Sequence, residues 1–137
     1  MFLHDLTAHQ KKTFLILAKQ FILADSKIST AEERHLESMQ SEVGAEAPSD
    51  ADSYNKKELL ASFATPKSRI SITLELITLG YIDGEFSEEE NQFVQELAGA
   101  FGISEDELDK YANWALKHYE ILCEGRELLG AETSSHS

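Results

Sequence analysis

The sequence predicts an all-α fold of about six helices, in which two pseudo-symmetric helical hairpins pack into one bundle. Three observations predict it. Apolar residues recur at spacings of three and four along most of the 137 residues, and no segment shows the alternation of a strand. Capping-box patterns at Thr7-x-x-Gln10, Ser29-x-x-Glu32, Ser87-x-x-Glu90 and Ser104-x-x-Glu107 each open such a periodic run. Finally, the chain resembles itself at an offset of 58 residues, which carries Asp25 onto Asp83, Ser29 onto Ser87, Glu32 onto Glu90 and Gly44 onto Gly102.

The elements follow in order. After Thr7, the residues Phe14, Leu15, Leu17, Ala18, Phe21 and Ile22 mark a largely buried first helix that stops near Asp25. Ser29 then caps a shorter helix carrying Leu36, Met39 and Val43, with Gly44 as its exit. Residues 45–54, with Pro48 and three acids but no apolar period, form the linker between the halves. A short amphipathic piece over 55–64 presents Leu59, Leu60 and Phe63. Thr65-Pro66 starts the next helix as N-cap and first-turn proline, and Asp83-Gly84 is expected to end it. On this helix Ile70, Ile72, Leu74, Leu76, Ile77, Leu79 and Tyr81 are apolar, whereas Ser71, Glu75 and Thr78 form a polar stripe, with Glu75 expected in solvent.

Ser87 caps a helix with Phe93, Val94, Leu97 and Phe101, which Gly102 stops. Ser104 caps the last and longest helix, expected over about 105–129, with 130–137 as a disordered tail. One side of that helix carries Tyr111, Ala115, Tyr119 and Leu122, and another carries Trp114, Ile121 and Leu128. The core can take one side, and the other is expected to pack on Phe2, Leu3 and Leu6, with a dimer contact as the alternative, so the oligomeric state stays open between monomer and dimer. The organisation is therefore a single domain over 1–129, with repeats at about 10–45 and 68–103.

Charge narrows the function. There are 25 acids against 12 Lys and Arg, a net charge of −13, and residues 70–109 hold eleven acids and no base. Nucleic acid and anionic membranes reward clustered Lys and Arg, so neither is expected as a partner. Cations or a basic protein surface suit the acidic stretch better. A lone Cys123 excludes an intramolecular disulfide and a cysteine-rich zinc site. With no signal-peptide pattern and no apolar stretch long enough to span a bilayer, a cytoplasmic location is expected. No phosphate-binding glycine loop, nucleophile elbow or HExxH is present, and no enzyme activity is expected. His4, His9, His35, His118 and His136 lack ligand spacing, and His35, aligned with Phe93, is expected in a packing or surface role.

The repeated acidic turn is the candidate site. Asp83-Gly84-Glu85-Phe86-Ser87-Glu88-Glu89-Glu90 matches the second half of a calcium-binding EF-hand loop. Leu79 and Tyr81 stand where the first oxygen donors belong, which excludes a complete EF-hand. Asp83 and Glu90, with a backbone carbonyl and water, could still surround a divalent cation, calcium first, and Asp25 with Glu32 would form the counterpart. Helix capping accounts for the Ser and Glu residues equally well, but does not require an Asp seven residues before each Glu. In the first turn Ser26 and Lys27 replace Gly84 and Glu85, so the second copy is the better candidate. No organic cofactor is expected.

The two segments Ala24-Asp25-Ser26-Lys27-Ile28-Ser29-x-x-Glu32-Glu33 and Ile82-Asp83-Gly84-Glu85-Phe86-Ser87-x-x-Glu90, each after a long apolar helix, resemble the tellurite-resistance TerB-like proteins. These are small bacterial all-helical domains of two related halves, found alone or fused to other domains in stress-response and membrane-associated systems, and the resemblance covers about residues 10–125. It implies a metal-binding surface at Asp25, Glu32, Asp83 and Glu90. The alternative is metal-independent docking of another protein on the acidic 83–109 face. Tellurite resistance itself does not follow from shared fold.

Overall fold

The computed structural model describes residues 3–24, 29–82 and 86–133. Six α-helices and two short 3-10 turns make up the described residues, with no strand among them. The helices are α1 (Ala8–Leu23), α2 (Thr30–Val43), α3 (Lys56–Leu60), α4 (Pro66–Gly80), α5 (Glu88–Phe101) and α6 (Glu105–Thr133), and the 3-10 turns are Leu3–Asp5 and Ala51–Ser53.

The 58-residue offset holds in the helix limits: moved by that offset, α2 coincides with α5, and α1 matches α4 to within one residue. The agreement has a local cause. Ser29 and Ser87 both hold extended backbone while their hydroxyls accept the N–H groups of Glu32 and Glu90, and both helices exit through left-handed glycines, Gly44 at φ 78° and Gly102 at φ 71°. Thr7 and Thr65 start the long helices α1 and α4, the latter with Pro66 in its first turn.

The core lies between the repeats. Phe14, Leu17, Phe21, Ile72, Leu76 and Leu79 are fully buried on the facing long helices, and α2, α3 and α5 close around them with Met39, Leu60, Val94 and Leu97. Each buried Phe or Leu of this kind contributes about 2 kcal/mol. The linker is tied down by Gln20, whose amide donates to the carbonyls of Ala51 (2.8 Å) and Tyr54 (2.9 Å). Aromatic rings lock the two halves together: the Phe21 ring of the first meets Phe86 (6.0 Å between centroids) and Phe93 (5.4 Å) of the second.

Several expectations change. Helix α4 ends at Gly80, with Tyr81 as its cap, ahead of the Asp83-Gly84 pair expected to stop it; that pair lies outside the described residues. Gly80 is needed for space rather than for φ, because a Cβ there would overlap the Phe86 ring and stand 3.1 Å from Phe21 Cζ. The polar stripe of α4 is not in solvent. Ser71, Glu75 and Thr78 are all buried on a helix against which both α6 and α2 pack, and Ser71 satisfies its hydroxyl by donating to the Lys67 carbonyl at 2.8 Å.

Helix α6 runs on through Thr133, beyond the expected stop near residue 129, since a single glycine costs a helix only about 1 kcal/mol; the rest of the expected tail, residues 134–137, lies outside the described ones. Leu3 and Leu6 are buried, but the Leu3–Asp5 turn packs on α4. Trp114, Ile121 and Leu128 therefore stay exposed at 39, 64 and 77%. Phe2 lies outside the described residues. No helix among the described residues is long and apolar enough to cross a membrane.

Candidate functional site

Two capping boxes build the site. In the first, the Ser29 hydroxyl accepts from the Glu32 N–H (3.0 Å) and the Ser29 N–H donates to Glu32 Oε1 (3.1 Å). In the second, the equivalent distances for Ser87 and Glu90 are 3.0 Å and 2.9 Å. Such glutamates normally face water, as Glu107 does in the exposed box that starts α6. Glu32 and Glu90 instead retain only 4% and 3% of their exposure. The packing of the halves brings the Glu32 and Glu90 side chains, from the first turns of α2 and α5, within hydrogen-bonding reach of one another.

Electrostatics follows from that geometry. Burial pushes the Glu90 carboxyl up to about 8, helped by a hydrogen bond from its protonated form to Glu32 and by the Glu32 charge; the hydrogen bonds from Ser87 act in the opposite direction. Capping occupies Oε1 of Glu90. Its Oε2 is buried and finds no hydrogen-bond donor among the described residues. A buried carboxylate oxygen beside a second carboxylate calls for a proton or a cation.

Of the four acids expected at the site, Glu32 and Glu90 are thus brought together. Asp25 and Asp83 fall in the turns 25–28 and 83–85, outside the described residues. Among the described residues no group of three His, Cys, Asp or Glu side chains converges. What periodicity alone missed is the burial of Glu75 and its neighbour across the helix interface, the half-buried His35. Burial lowers the pKa of His35, and the Glu75 carboxylate opposes that. The signal was present in α4, whose apolar residues occupy more than one face and so require cover all round.

The family profile described as Tellurite resistance protein TerB matches residues 10–113, which include both repeats and the start of α6. The chain belongs to the TerB family. No curated protein and no solved structure matches it. Within this TerB-family chain both halves keep the same cap and the same glycine exit, so the paired capping boxes are a feature of the doubled fold rather than of one helix start.

Proposed function

We propose that this TerB-family protein is a non-enzymatic binding module that holds a divalent cation, calcium first, between its two acidic turns. The observation that carries the reading is the meeting of Glu32 and Glu90, one from each repeat, with Glu90 Oε2 buried and lacking a donor. Asp25 and Asp83 stand seven residues before these glutamates, and with them the donor set would be four carboxylates, hard oxygen ligands of the kind calcium and magnesium take. Such an ion would neutralise the pair and stiffen the turns that join the halves. No residue here is asked to perform a reaction.

Thermal unfolding of chelator-treated protein, titrated with calcium, magnesium, manganese and zinc, tests the proposal. An ion at a hundred times its dissociation constant adds about 2.7 kcal/mol, or about 8 °C at this chain length. That rise is expected for wild type and should vanish in Asp83→Asn/Glu90→Gln. If no ion stabilises wild type, or if the double mutant responds equally, the cation is rejected. The acidic face at 83–109 would then be read as a docking surface for a basic protein, recognised by strong salt dependence and indifference to chelators.

A further inference from the structure

A second, oppositely charged feature lies between α2 and α6. A hollow of about 450 Å³ is lined by Ala31, Arg34, His35, Ser38, Ile82 and Arg126. None of these six is acidic, in a chain with twice as many acids as bases. The chain has three arginines, and two of them are here. The third, Arg69, is spent on the fold, donating from Nε to the Phe63 carbonyl (2.8 Å) and lying over the Phe101 ring. Arg34 and Arg126 are exposed and make no ion pair or hydrogen bond among the described residues. Ser38 adds a hydroxyl, and the half-buried His35 adds a ring nitrogen.

We propose that this hollow binds a small soluble oxyanion of the phosphate type. Two guanidinium groups brought from different helices match the oxygen pairs of such an anion, each able to give two parallel N–H bonds. Ser38 and the His35 ring can complete the shell, and Ala31 and Ile82 supply an apolar rim that limits water. Among the described residues, the charged groups that act on His35 are Glu75 from α4, Glu42 on its own helix and His118 from α6. Burial holds the His35 pKa below its ordinary value while Glu75 opposes that, so the ring offers the anion an N–H donor rather than a fixed charge. Neither Glu32 nor Glu90 lines the hollow, and the proposal does not depend on the reading above.

The test uses inorganic phosphate, added to full-length protein that has been stripped of metal and desalted free of chelator. Binding is followed by calorimetry and by the NMR signals of the arginine Nε–H groups and the His35 ring, against chloride at matched ionic strength. A saturable response to phosphate is expected, weakened at least about tenfold by Arg34→Gln or by Arg126→Gln, since a charged hydrogen-bond pair is lost. Lys117→Gln removes the same charge elsewhere on α6 and should leave binding unchanged. All three side chains are exposed, so each variant should keep the wild-type melting temperature. The site is overturned if chloride reproduces the response, or if the three variants weaken phosphate binding alike.

Discussion

Replacing Glu90 with glutamine is expected to stabilise the metal-free protein, and to do so only at higher pH. The folded state raises Glu90 from its ordinary value of 4.5 to about 8, so below pH 4.5 the carboxyl is protonated in both states and costs nothing. Between pH 4.5 and 8 the unfolded chain ionises while the folded one holds its proton, and stability falls as pH rises. At full charge the displacement corresponds to about 5 kcal/mol, and relaxation around the pair should reduce this to about 2 kcal/mol. Glutamine keeps the Oε1 acceptor for the Ser87 N–H and can donate to Glu32, so the variant has no such loss. Urea unfolding of both proteins at several pH values between 4 and 9, without metal, should give equal slopes for all other groups and a difference growing to about 2 kcal/mol in favour of the variant. A difference that stays flat across this window, or that favours wild type at pH 9, would refute the buried pair.

Two further substitutions probe how the turns are held. Gly80→Ala should cost about 2 kcal/mol, because the new methyl displaces the Phe86 ring that joins the second turn to Phe21, and a melting scan should show a drop of about 6 °C. Gln20→Ala leaves the Ala51 and Tyr54 carbonyls without their donor, and should lower stability by about 2 kcal/mol while speeding hydrogen exchange in the 51–54 turn.

What was legible in the sequence is what local chemistry decides. Ser29, Ser87, Gly44 and Gly102 announce their helix ends because a cap and a left-handed exit depend on a few neighbouring residues, and the structure places them as read. The burial of Glu75 was not legible, since Ser71, Glu75 and Thr78 look like a solvent stripe until α6 and α2 are known to pack on that helix. The role of Gly80 was hidden for a similar reason: its constraint comes from Phe86, which reaches it only once the second turn has folded back. The acids of the candidate site could be picked out by their repeat, but that Glu32 and Glu90 meet follows from how the halves pack, which no single window of sequence contains.

Capping and ion binding are rival explanations of the same glutamates, and the geometry separates them. A capping box uses one oxygen, and in both repeats that oxygen is Oε1. Glutamine serves that purpose equally well. The chain uses it in the box at the start of α1, where Gln10 Oε1 accepts from the Thr7 N–H and Nε2 donates to the Ser62 carbonyl at 3.0 Å. There a partly buried cap is built without burying charge. At positions 32 and 90 burial is deeper, and glutamine would relieve the repulsion as well as supply a donor, yet both positions carry glutamate. Capping therefore explains a residue with an acceptor oxygen at each site but not its ability to ionise. The charge has a use if the second oxygens, starting with Glu90 Oε2, face a cation, and the wild-type pair would then gain at high pH with metal what it loses without it.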